Sequence, residues 1–384
     1  MNIRRTLAVM SKESREIIRD RLFLALAFVV PAMLMLLFGY GLTLDVEDIP
    51  FAIVDYDNTA SSRDYAYRFI GSRYFDFQGY SRDEALLAEK LSTNELRAYI
   101  IIPEHFERSL LNGRPATVQT MLDGTFPSRT ETTKGYVIAI NTAYSAERLA
   151  GYLGAVRGVS ASTVAAALSP VTLDVRYLYN QSLLSVWSIA PKLIMVILMI
   201  SPPFLTALGV VREKERGSIY NIYASTVSRG EFLIGKILPY VGISMINATI
   251  MWMLATFLFG APFKGDLLFF LLATLIYVSC TTGIGLAVSV LVQTQVAAMV
   301  VTAIVTVVPA ALYSGVLIPI PSLSGQAQLT AHLLPAMYYN NIVTGSFLKG
   351  AGMATLWPDV AVLFVYAVAL FAIGFTMFSK RPKS

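Results

Sequence analysis

LLFFLLATLIYVSCTTGIGLAVSVLVQTQVAAMVVTAIVTVVPAALYSGVLI, Leu267 to Ile318, contains no Asp, Glu, Lys or Arg. The charge-free run continues to Leu348, 82 residues in all. A bilayer core is crossed by about 20 apolar residues of helix. The run therefore predicts two spans, 267–292 and 295–318, with a remainder. Working outward, Leu22–Leu44, Leu193–Val211 and Ile237–Phe263 are also free of charge, and a last apolar stretch runs from Val360 to Ser379. Six transmembrane helices are expected. Whole-chain figures agree: 55% hydrophobic, 14% charged, mean hydropathy +0.60. Soluble chains carry about 25% charged residues, which excludes an ordinary soluble enzyme and a disordered chain. The first span is too long for a signal-peptide core and follows 21 polar or amphipathic residues, so no cleavage is expected.

The charges are segregated. Residues 45–180 hold 17 acids and 13 bases, while the rest of the chain holds 8 acids and 17 bases. This predicts a mildly acidic, soluble domain over 45–180 between spans one and two. The net +5 then reports topology, with no nucleic-acid partner implied. Segment 1–21, the loop 212–236 and the tail carry most of the bases outside that domain. The positive-inside rule puts these, and hence both termini, in the cytoplasm, and the 45–180 domain outside. Trp187 and Trp357 fall at outer span ends, and Lys192 can snorkel outward from span two. Within 45–180, strands are expected at 51–55, 74–80, 98–102 and 117–122. Helices are expected at 62–70, 81–96, 104–111 and 128–155, with Ser81 and Glu84 at capping-box spacing. The domain reads as a small α/β sheet. Asp55 and Asp57 resemble paired carboxylates, but Asp-Asn-Thr after a strand is turn and cap chemistry. One cysteine, Cys280, and two histidines, His105 and His332, leave no metal set. No catalytic, cofactor or metal site is expected on this chain.

Two cytoplasmic pieces stand out. Residues 1–21 form an amphipathic interfacial helix, with Ile3, Leu7, Met10 and Ile17 at helical spacing among arginines. The loop 212–236 reads Arg212-Glu213-Lys214-Glu215-Arg216-Gly217-Ser218, then a short apolar-aromatic helix at 219–223, then Ser228 as an N-cap with Glu231 three residues on. A charged, partly apolar elbow of this kind suits docking of another protein. Residues 322–348 carry Gln326, Gln328, His332, Asn340, Asn341 and Thr344, with Pro335 among them. That is too polar to face lipid, so the segment is expected to be buried in protein or to line a watery cavity.

The Glu-Lys-Glu-Arg-Gly-Ser run and the following Ser-Arg-Gly-Glu-Phe-Leu-Ile-Gly-Lys, 228–236, closely resemble the cytoplasmic loop of type-2 ABC transporter permeases. The resemblance extends over the chain: an interfacial helix, six spans and, in a multidrug-exporter-like branch, a large outer domain after span one. It implies an α-helical integral membrane protein of the bacterial inner membrane with six transmembrane helices and an inserted α/β extracytoplasmic domain, exporting drugs or other amphiphilic compounds. It implies a coupling role toward a separate ATPase subunit for Arg212, Glu213, Lys214, Glu215, Arg216, Gly217, Ser228 and Glu231, the charges reading the partner's surface. It implies an outer re-entrant segment at 322–348, with Pro335, Asn340, Asn341, Thr344 and Gly345 as gate candidates. Thr344 stands where the family commonly has Arg. A dimer, or a pair with a related permease, and a periplasmic adaptor are further implied partners. No G-x-x-x-x-G-K-[ST] loop is present, so ATP and Mg would be used by the partner. The alternatives are a non-transporting scaffold or assembly factor binding an envelope partner, and a secondary transporter. No span has an ionisable residue near its centre, which counts against the last.

Overall fold

The computed structural model describes residues 2–42, 46–157, 160, 178–182, 184–217 and 227–377. The chain is mostly helical and divides into two compact units, Met1–Thr43 with Tyr177–Ser384, and Leu44–Arg176. The first unit opens with α1 (Ile3–Arg19), capped by the Asn2 side chain. Among the described residues six helices are long and apolar enough to cross a membrane: α2 (Arg21–Gly41), α7 (Ser185–Glu215), α8 (Arg229–Leu258), α9 (Leu267–Leu291), α10 (Gln295–Tyr313) and α13 (Met353–Met377). Between the last two come α11 (Gly325–His332) and α12 (Pro335–Thr344), too short to span.

Helix α7 is the centre of the bundle; α2, α8, α9, α10 and α12 all pack on it. From Ile189 to Val211 every residue is buried except Lys192, Val196, Ile200 and Phe204. Small residues set the contacts. A Cβ on Gly285 of α9 would strike the Pro203 backbone of α7, and one on Gly283 would meet Leu370 of α13 at 3.0 Å. Helix α10 buries Ala298, Thr302, Thr306 and Ala310, a small-residue row at i+4 spacing. Pro31 in α2 follows a π-turn at Ala25–Val29. Proline removes an N–H and crowds the preceding turn, and the wider turn accommodates it.

Sequence and structure differ at the span ends. The apolar stretch at 193–211 continues as helix on both sides, because Lys192 and the run 212–215 stay helical. The fifth span stops at Tyr313, five residues short of the expected 318, just before Gly315 at φ +82. The expected helix at 219–223 lies outside the described residues.

The second unit carries β1 (Ile49–Asp55), α3 (Ala60–Ile70), β2 (Phe75–Tyr80), α4 (Glu84–Ser92), β3 (Ala98–Ile102), α5 (Phe106–Leu111), β4 (Gln119–Leu122) and α6 (Pro127–Arg157). The sheet order is β2-β1-β3-β4, with β4 antiparallel and the rest parallel. Alternate strand residues feed opposite faces. Phe51, Ile53, Ile100 and Ile102 meet Tyr65, Phe69 and Tyr144 on one side, while Ala52, Val54, Tyr99 and Ile101 meet Leu87 and Leu96 on the other. Helix α4 is shorter than expected. Asp83 is its N-cap, accepting from the Ala85 and Leu86 N–H groups, and the Ser81 hydroxyl instead accepts from the Asp83 N–H. Asp55 and Asp57 are turn and cap residues. Asp55 accepts from the N–H groups of Asp57 and Asn58, and Asp57 accepts from Thr59 and from the Glu107 N–H at the start of α5. Burial raises the Asp57 pKa, but the Thr59 hydroxyl and these backbone N–H groups outweigh it and hold the carboxyl below its usual range.

Candidate functional site

The charge run at the end of α7 meets α1 and the start of α8. Each of four consecutive charged side chains ties a different element. Arg212 pairs with Asp20 at 2.5 Å, at the corner between α1 and α2. Glu213 is 5% exposed and lies 2.6 Å from Lys12 of α1 and 3.0 Å from Lys236 of α8. Lys214 donates to the carbonyls of Ser289, Val290 and Val292 at the C-terminal end of α9. Glu215 accepts from the backbone N–H and side-chain amide of Gln295, where α10 begins. A cation at a helix C-terminus and an anion at a helix N-terminus both suit the helix dipole. Lys214 and Glu215 therefore clamp the turn between α9 and α10.

A buried ion cluster lies behind this row. Lys236, 1% exposed, sits 2.8 Å from Glu13 of α1 as well as beside Glu213. The Tyr240 hydroxyl donates to Glu13. A buried ammonium is tolerated only with charge partners and hydrogen bonds, and here two carboxylates supply them. Close approach of the backbones makes this geometry possible. A Cβ on Gly235 would lie 2.8 Å from the Thr6 carbonyl of α1, and one on Gly209 would strike the Tyr240 hydroxyl. Glu231 closes the capping box with Ser228 and also accepts from the Asn2 N–H at 2.6 Å, so it holds the start of α1 against α8.

Two groups just outside the spans feel this arrangement. The Phe23 N–H, and after it Arg212, hold the Asp20 carboxyl below the usual aspartate range despite partial burial. Burial acts to lower Lys12, but its hydrogen bond to Glu213 and the surrounding carboxylates win, and its pKa is raised.

The eight elbow residues read from the sequence thus divide. Arg212, Glu213, Lys214, Glu215, Ser228 and Glu231 are engaged inside the chain. Arg216 is exposed and Gly217 sits at φ +72, where glycine is favoured. Sequence reasoning passed over Glu13, Lys12, Asp20 and Tyr240. One signal was available: Glu13 is an acid on the Ile17 face of a largely basic helix. Its partner Lys236 lies 223 residues away, beyond any spacing argument.

The gate candidates are placed separately. Pro335 starts α12, where its missing N–H costs nothing. Asn340 and Gly345 are buried, and Thr344 is half-buried. Asn341 is exposed and donates to Asp359 of α13 at 3.1 Å. Tyr339 of α12 stacks on Tyr277 of α9, ring centres 4.0 Å apart, and bonds Thr274 at 2.8 Å.

Comparison with known proteins decides the family. The sequence model of the ABC-2 family transporter proteins matches residues 21–376. The chain belongs to the ABC-2 transporter family. Similar members include the probable multidrug ABC transporter permease YbhS of Escherichia coli strain K12, 27% identical over 382 residues, covering 99% of this chain and 97% of the relative. The probable multidrug ABC transporter permease YbhR of the same strain is 25% identical over 370 residues, covering 96% and 97%. The linearmycin resistance permease protein LnrN of Bacillus subtilis strain 168 is 23% identical over 359 residues, covering 90% and 92%. This ABC-2 chain is therefore a multi-pass transporter permease and is not itself an enzyme.

Proposed function

We propose that this chain is the membrane-spanning subunit of an ATP-driven exporter, moving drugs or other amphiphilic compounds across a bacterial inner membrane. A full-length likeness to multidrug permeases supports the class. The observation that carries the coupling is the fan of charges at 212–215, which links one elbow to α1, α8, α9 and α10 together. A push on the loop 212–236 would then be shared by several helices at once. In this reading a separate ATPase subunit binds ATP and Mg and engages Arg216, Gly217 and the loop beyond them. Arg212 to Glu215, with Ser228 and Glu231, pass its motion inward. Both termini lie in the cytoplasm, and the 45–180 segment is an inserted α/β domain outside, able to meet a periplasmic adaptor. Residues 322–348 form the outer re-entrant segment, and Pro335, Asn340, Asn341, Thr344 and Gly345 shape the exit. Two copies, or one copy and a related permease, enclose the pathway.

Purification of the full chain from native membranes tests this. An ATP-hydrolysing subunit with a phosphate-binding loop should co-purify, and Arg216→Glu should lower cargo-stimulated hydrolysis without lowering the amount of permease. A complex lacking such a subunit, in which the outer domain retains an envelope protein instead, would make the chain a scaffold.

A further inference from the structure

A half-buried line on α7 has a chemistry of its own. Among residues 189–211 only Lys192, Val196, Ile200 and Phe204 escape full burial, and they recur every fourth position. Such a row forms one ridge of a helix. It spans about 18 Å at 1.5 Å per residue. The ridge is therefore apolar along its length and charged at one end. Lys192 has no ion-pair or hydrogen-bond partner among the described residues, and each acid of the elbow cluster is already matched elsewhere. A half-buried ammonium near the outer end of a span can snorkel toward the interface, and an anion within its reach is held there more tightly than in water. Nothing within the described part of the chain supplies one.

We propose that this ridge is a cargo track for anionic amphiphiles, with Lys192 receiving the acidic head and Val196, Ile200 and Phe204 lying along the tail. The proposal rests on the permease reading above and narrows its cargo to a charge class. The anionic group could also come from a lipid phosphate, since Lys192 lies less than two turns inside Trp187. The test separates the two sources.

The full chain is purified into phosphatidylcholine nanodiscs. Binding is measured for dodecanoate, its neutral methyl ester and dodecyltrimethylammonium, using Trp187→Phe to identify the Trp187 fluorescence signal. Dodecanoate should bind roughly tenfold tighter than the ester, the gain of a charge-assisted contact, and the cation should bind more weakly than either. Lys192→Met should erase the preference while keeping ester binding, and Lys192→Arg should retain it. Equal binding of all three probes overturns the proposal. A preference that survives Lys192→Met, or acetate competing as well as dodecanoate, does the same. In discs containing phosphatidylglycerol, dodecanoate must still bind. If the lipid blocks it in a Lys192-dependent way, Lys192 is a lipid anchor and the cargo track fails. These measurements need no ATPase, so loss of the permease reading would appear in the co-purification and not here.

Discussion

Lys236 stands between two carboxylates that reach it from different helices, and its removal shows what the cluster does. Lys236→Met would leave Glu13 and Glu213 facing each other with only Lys12 to offset them. Breaking a buried pair by deleting one partner costs about 3–5 kcal/mol. A clear fall in thermal unfolding temperature in detergent is expected, with earlier proteolysis of α1. The triple change Lys236→Met, Glu13→Leu, Glu213→Leu should recover part of that loss. Asp20 gives a pH-dependent counterpart. Its folded pKa is depressed, so its contribution is complete above the unfolded value and lost as pH falls through the folded one. Amide protection at the α1–α2 corner, taken relative to the intrinsic exchange rate at each pH, should fall below about pH 4 in the parent chain, and Asp20→Asn should flatten that dependence. Of these residues the sequence made only the elbow charges visible. Their direction was not legible, because a charge run with no known neighbours reads as a solvated helix end. Only the fold shows that Glu213 points at Lys236.

At the scale of elements, spans were legible because lipid imposes a strong rule on every position, and strands such as Ala98–Ile102 because an unbroken apolar run ended at a proline. Helix ends were less legible. Helix α7 extends beyond its apolar stretch because charged residues remain helical when neighbouring helix termini engage them, as Lys214 and Glu215 do. The glycines make a sharp prediction. Gly285→Ala would force a Cβ into the Pro203 backbone, which cannot swing aside. A cost of about 1–3 kcal/mol is expected from such overpacking, read as a lower unfolding temperature. Gly242 of α8 has no atom within 4 Å of its Cβ position. Gly242→Ala should therefore leave stability unchanged or raise it by up to about 1 kcal/mol.

At the scale of the whole molecule, topology is the readable quantity, and the chain offers a clean way to measure it. Cys280 is its one cysteine, and it is fully buried with its thiol inside α9. A single introduced cysteine therefore reports alone. Lys90→Cys should react with a membrane-impermeant thiol reagent from outside, and Arg216→Cys only after the membrane is opened. Labelling of position 90 solely from the cytoplasm would invert the proposed orientation. The charge balance of the sequence supported this arrangement because long outer segments are exempt from the rule that short loops obey. The buried cluster also has a meaning in time. Glu13 is synthesised 223 residues before Lys236. At 5–20 residues per second, roughly 10–45 s pass between them on the ribosome. Through most of that interval α1 has no permanent partner; Arg212 and Glu213 of α7 come first, and the seat is complete only after the third span has been made. The N-terminal helix is thus first in sequence and late in assembly, and a chain stalled before Lys236 would display it as an unfinished product.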